Sequence, residues 1–144
     1  MPREDTKGIL QECDSGVQMG LESIDEVIDR VQNPAMREAL QRSRTEHVAL
    51  QNEIHSALNE HGWSGKDPNM IAELMSKLKI KTELTMDPTD ARIADLMFDG
   101  CDMGVKKLSQ YINRFPTSKS PAVHIAERLI KSEQELADAM RTFL

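Results

Sequence analysis

Aromatic residues make up only 3% of the 144 positions in this sequence. A core without them must be aliphatic, and the low aromatic and β-branched content disfavours a sheet. There are two cysteines, Cys13 and Cys101, with no spacing that suggests local pairing or a zinc site. That usage suits a reducing compartment, and a cytoplasmic protein is expected. No apolar run approaches the roughly 20 residues needed to cross a bilayer. The opening Met-Pro-Arg-Glu-Asp lacks an apolar signal region. Positive charge is scarce as well, with a formal net charge of −6. Without surplus Lys and Arg to neutralise phosphates, nucleic acid is not an expected partner. No phosphate-binding loop or nucleophile elbow occurs.

What remains is ordinary for one globular domain spanning 1–144: 39% hydrophobic and 29% charged residues. Four dipeptides join a good N-cap to a proline at the first helical position: Asn33-Pro34, Asp67-Pro68, Asp87-Pro88 and Ser120-Pro121. The cap side chain accepts an orphan backbone N–H, and the proline gives up one that had no partner. Together with the breakers around Gly62-Trp63-Ser64-Gly65 and Pro116-Thr117, they predict helices over about 5–31, 34–61, 68–86, 88–115 and 121–143. Apolar residues recur at helical spacing in four of these. Short loops make 5–31 with 34–61, and 88–115 with 121–143, antiparallel hairpins.

The two hairpins resemble each other. Ser15-Gly16-Val17-Gln18-Met19-Gly20 aligns with Asp99-Gly100-Cys101-Asp102-Met103-Gly104, and Thr45-Glu46 aligns with Ser132-Glu133. A hairpin buries one face, so pairing two closes a core. At 1.5 Å per residue, helix 68–86 spans nearly 30 Å, enough to return the chain to its starting end. The expected fold is therefore all-α: a four-helix bundle of two antiparallel hairpins, 5–61 and 88–143, related by an internal pseudo-twofold repeat, with 68–86 as crossover. Its face at Met70, Leu74, Met75 and Leu78 is read as packing on the bundle. Lys77, Lys79 and Lys81 leave a membrane-surface helix as the other reading, although the apolar face lacks a Trp or Phe anchor. Trp63 is expected to plug one end of the bundle.

Counting from each turn places Gly20 level with residue 45 and Gly104 level with residue 131. Gly16, Gly20, Gly100 and Gly104 thus share a middle layer with Glu46 and Glu133. Glycine inside a helix costs about 0.5–1 kcal/mol relative to alanine, so either two backbones approach closely there or a facing side chain needs the room. An acid on a core stripe must be hydrogen-bonded, paired, protonated or metal-bound. Three readings stay open: close helix packing, a buried polar network that fixes the hairpin pairing, and a metal site. The last would use Glu46 and Glu133, with His47, Glu12 or Asp102 nearby. The same counting puts Cys13 and Cys101 on opposite sides of the layer, roughly 15 Å apart in rise. That exceeds the roughly 7 Å reach of a disulfide, so two free, buried thiols are expected.

A doubled hairpin with a long crossover and mid-bundle carboxylates resembles the ferritin-like superfamily. The stretch Asp14-Ser15-Gly16-Val17-Gln18-Met19-Gly20 is similar to small bacterial four-helix-bundle proteins of that kind. The resemblance implies the fold, and makes Glu46 and Glu133 remnants of helix-borne ligands for iron or another divalent metal. Di-iron members carry Glu-x-x-His on two helices. Here Arg44, Asn52, Leu58 and Pro121 stand three residues before the four histidines, which argues against ferroxidase or oxygenase chemistry. The expected function is a non-catalytic interaction or assembly protein without a cofactor, acting by self-association or through a protein partner, and not on nucleic acid or a membrane. The alternative is a ferritin-like metal-binding protein with a reduced carboxylate site.

Overall fold

A computed structural model of the chain describes residues 3–77, 89–114 and 120–144, with 3–4 and 74–77 described as backbone only. Its order is α1 (Arg3–Val27), a 3-10 turn (Ile28–Arg30), α2 (Pro34–Glu60), α3 (Pro68–Lys77), α4 (Asp90–Asn113) and α5 (Pro121–Arg141). Among the described residues the regular structure is all helical, with no strand. None of their helices is long and apolar enough to cross a membrane.

Three of the expected caps form. Asn33 Oδ1 accepts from the Ala35 and Met36 amides at 2.9 and 3.3 Å. Asp67 Oδ1 accepts from Asn69 N–H at 2.9 Å, and Ser120 Oγ from Val123 N–H at 3.4 Å. Asp87-Pro88 lies outside the described residues, as do 78–86 of the expected crossover helix and the loop 116–119. α4 begins at Asp90 rather than at 88, with Thr89 as N-cap accepting from Arg92 N–H at 3.1 Å. This start puts the Asp90 carboxylate beside the α1–α2 turn, where it accepts from Gln32 N–H and Asn33 N–H, both at 2.9 Å. α1 also ends earlier than its apolar stripe. Val31 is buried although its backbone is extended, so periodic burial continues past the helix end.

The core divides into two apolar clusters. One gathers Ile24 and Val27 of α1, Met36 and Leu40 of α2, Ile93 and Met97 of α4, and Leu136 and Met140 of α5. The other gathers Ile9 and Cys13, Leu50 and Leu58, Leu108, and Ala122 and Leu129 from the same four helices. The first cluster takes the C-terminal part of α1 and α5 and the N-terminal part of α2 and α4. α1 and α5 therefore run one way, and α2 and α4 the other. α5 packs on α4, α2 and α1, and α1 also packs on α2 and α4. The chain leaves α2 at the second cluster and enters α4 at the first, so residues 61–89 connect opposite ends. On that path α3 rests against α1 and buries Ile71. Trp63 packs on the second cluster and stacks on His61, with ring centroids 4.2 Å apart.

Candidate functional site

Between the two apolar clusters lies a polar waist built by α2 and α5. His47 is fully buried, and Glu133 faces it from α5 with 8% of its surface exposed. His47 Nδ1 lies 2.8 Å from the Ser43 carbonyl oxygen one turn back, and Nε2 lies 2.7 Å from Glu133 Oε1. A carbonyl oxygen only accepts, so Nδ1 carries a proton. A neutral ring would then present a bare Nε2 lone pair to a carboxylate. The contact must therefore hold one further proton. Burial opposes charge on the ring. The hydrogen bond and negative charge of Glu133, the Ser43 carbonyl and the charge of Glu46 outweigh it, and the His47 pKa is raised above its ordinary value. That direction favours the proton on the imidazole beside a charged carboxylate.

Glycine makes the space. A Cβ on Gly20 of α1 would stand 2.9 Å from both Cδ2 and Nε2 of His47, closer than real Cβ contacts. Gly104 of α4 faces the same pair less tightly, its Cβ position being 3.7 Å from Glu133 Oε2. Gly16 would make an ordinary 3.6 Å contact with Leu129, and Gly100 has no atom within 4 Å. α4 turns Ala94, Met97 and Cys101 inward instead, which leaves Gly100 exposed.

The two acids differ in setting. Glu46 is only partly buried, and its Oε2 accepts from Ser132 Oγ at 2.8 Å, so α2 and α5 are joined twice at this level. A surface notch lined by Arg42, Ser43, Glu46, Ser132 and Glu135 opens beside that contact. Glu12 pairs with Lys107 at 3.1 Å, roughly 12 Å of helical rise from Gly20, and Asp102 is exposed on α4. Among the described residues no group of three or more His, Cys, Asp or Glu side chains gathers in a way that could hold a metal ion.

Both thiols sit where burial disfavours the thiolate. Both cysteines are free and buried, and Cys13 and Cys101 fall in different clusters, as depth counting requires. Burial raises the Cys13 pKa to about 12, with the charges of Glu12 and Asp14 adding to it. Burial also raises that of Cys101 strongly, aided by the charge of Glu133, a hydrogen bond to it and the charge of Asp102. The thiolate is the nucleophile. The thiol of Cys101 and the imidazole of His47 face the same Glu133 carboxylate, whose charge disfavours a second anion beside it.

The most deeply buried of the described acids had no signal in the apolar pattern. Asp14 of α1 is 1% exposed. Its Oδ1 lies 2.9 Å from His55 Nε2 of α2, its Oδ2 accepts from Lys66 N–H at 3.0 Å, and Gln18 Nε2 donates to it from one turn on. Asp14 at the head of the Asp-x-Gly-x-x-x-Gly stretch is the only trace of it in the sequence. His61 and His124 are exposed, at a helix end and on α5.

Compared with known proteins, the chain matches no family model, no curated protein and no solved structure.

Proposed function

We propose that the chain is a ferritin-like four-helix bundle of two related hairpins, acting as a non-catalytic cytoplasmic interaction or assembly protein, in which the waist fixes how the hairpins pair. The observation that carries this reading is the closure of the waist. Both ring nitrogens of His47 have partners, Glu133 answers one of them, and Ser132 answers Glu46. Groups that satisfy each other have no position left open for a substrate. Two similar hairpins can pair in more than one register. A buried ionic contact penalises each register that would leave one partner alone. The opposed senses of α1/α5 and α2/α4 support the bundle, and the matching Asn33-Pro34 and Ser120-Pro121 caps support the repeat.

The residues present do not fit a di-iron centre, since Glu12 and Asp102 lie apart from His47–Glu133 and Glu46 is turned to Ser132. One observation keeps a reduced metal site as a second reading. A backbone carbonyl holds Nδ1 while Nε2 points at a carboxylate, which is how proteins orient a metal-binding imidazole. Solution mass and metal content of protein purified without chelator separate the two. A discrete oligomer without stoichiometric metal is the expected result. A monomer carrying stoichiometric metal that is lost in Glu133→Ala would replace the first reading with the second.

A further inference from the structure

The segment from His61 to Glu73 leads from the end of α2 into α3 and is tied to α1 along the way. α3 packs chiefly on α1, and Ile71 is the buried residue of its described side chains. The preceding loop is tied to α1 by two polar side chains. Gln11 Nε2 donates to the Ser64 carbonyl at 3.0 Å, and Asp14 Oδ2 accepts from Lys66 N–H at 3.0 Å. Gly65 permits that approach, because a Cβ there would stand 2.5 Å from Asp14 Oδ2. His55 braces the same carboxylate from α2. The side chain of Asp14 is 2% exposed, so the carboxylate that receives the loop amide is itself part of the interior of α1.

We propose that residues 61–73 form a strap that opens as a unit, latched shut by the Asp14 carboxylate on the Lys66 amide. A segment opens independently when few apolar contacts and a small set of polar ones hold it. Among the described side chains the apolar anchors are Trp63 and Ile71, one on each side of the latch. Opening lifts Trp63 from the end cluster and uncovers the Gln11–Asp14 flank of α1. The long helices remain closed, because their two clusters are built without residues of the strap beyond Trp63.

The chain contains a single tryptophan, Trp63, so its emission reports the strap alone. Tests use Asp14→Asn, which removes the charge of the latch, and Gly65→Ala, which pushes the carboxylate off the amide while leaving α1 untouched. Both should shift Trp63 emission to the red. Both should speed amide exchange across 61–73 by roughly 10- to 100-fold, the factor carried by loss of a charged hydrogen bond. Exchange in α2 and α5 and the far-UV circular dichroism should stay as in the wild type. Unmoved emission and exchange in both variants would overturn the proposal. So would acceleration spread evenly over α1, α2 and the strap, since Asp14 would then be a general core residue. If Asp14→Asn fails to fold, Gly65→Ala decides between the same outcomes.

Discussion

Two acid–histidine pairs lie inside this molecule with their burial reversed. At the waist the histidine is the deep partner: the His47 side chain is 0% exposed and that of Glu133 is 11% exposed. At the strap the acid is the deep partner, with the side chain of Asp14 2% and that of His55 47% exposed. The cost of breaking such a pair is set by the group left behind. A charge stranded in the interior is expensive, whereas one stranded at the surface rehydrates. Removing Glu133 leaves His47 in a dry site either charged and alone or neutral with Nε2 unpaired, and removing His55 leaves Asp14 with its Lys66 and Gln18 bonds intact. The waist is therefore a strong constraint on α2 and α5, and the histidine at the strap only braces one.

The largest expected effect follows from this asymmetry. Glu133→Ala should lower unfolding free energy by about 3–5 kcal/mol, the usual cost of orphaning half of a buried ion pair. Urea denaturation followed by far-UV circular dichroism measures it. Replacing both partners in His47→Leu/Glu133→Leu should cost far less, because an apolar pair of similar volume needs no desolvation of charge. If the waist fixes the pairing of the hairpins, the double variant should keep its stability and lose uniqueness, visible as broadened amide resonances. Equal losses in the single and double variants would mean that the site contributes by shape rather than by charge.

The raised His47 pKa gives the waist a pH dependence of definite sign. A group whose folded pKa lies above its unfolded value contributes fully below the unfolded value, about 6.5 for histidine. It loses that contribution as pH rises through the folded value. The wild type should thus lose stability on the alkaline side of 6.5. The double leucine variant should show a flatter profile there when melting temperatures are compared across pH. A wild-type curve that rises with pH in this window would show that Glu133 does not hold the proton on the ring.

Gly20 and Gly104 sharpen the comparison within the waist. They hold matching places in the proposed repeat, yet only at Gly20 would a Cβ press on its neighbour. Gly20→Ala should destabilise by about 1–2 kcal/mol, because the ring it meets is fixed at both nitrogens and the strain exceeds the helix-propensity gain. Gly104→Ala makes an ordinary contact and should be neutral or slightly stabilising. The two substitutions, read by the same urea titration, should have opposite or clearly unequal effects.

Much of this arrangement was legible in the residues themselves. Asn33-Pro34 and Ser120-Pro121 set two helix starts because a cap and a proline act locally. The waist layer could be found by counting, since α-helical rise is fixed and the turns were marked. The rotation of each helix within the layer was less accessible. Adjacent positions Glu46 and His47 are 100° apart on a helix, and the stripe alone did not show that the histidine takes the deeper place. Gly100 looked equivalent to Gly16, but α4 presents Cys101 to the core instead. Asp14 and Asp90 were missed as anchors because each answers backbone amides, Lys66 N–H in one case and the Gln32 and Asn33 amides in the other. No sequence pattern records which distant amide will need an acceptor.

The smallest effects test the other side of the comparison. His55→Ala should cost no more than about 0.5–1 kcal/mol, since an exposed partner contributes little and the Asp14 carboxylate keeps the Lys66 amide. Gly100→Ala should stabilise by about 0.5–1 kcal/mol, because a methyl in open space relieves the conformational cost of glycine in a helix and touches nothing. Both fall near the resolution of a denaturant midpoint, so they are best measured as paired shifts against Glu133→Ala under one set of conditions. A His55→Ala loss as large as that of Glu133→Ala would show that Asp14 cannot hold its charge without the second partner. Depth of burial alone would then not rank the two pairs.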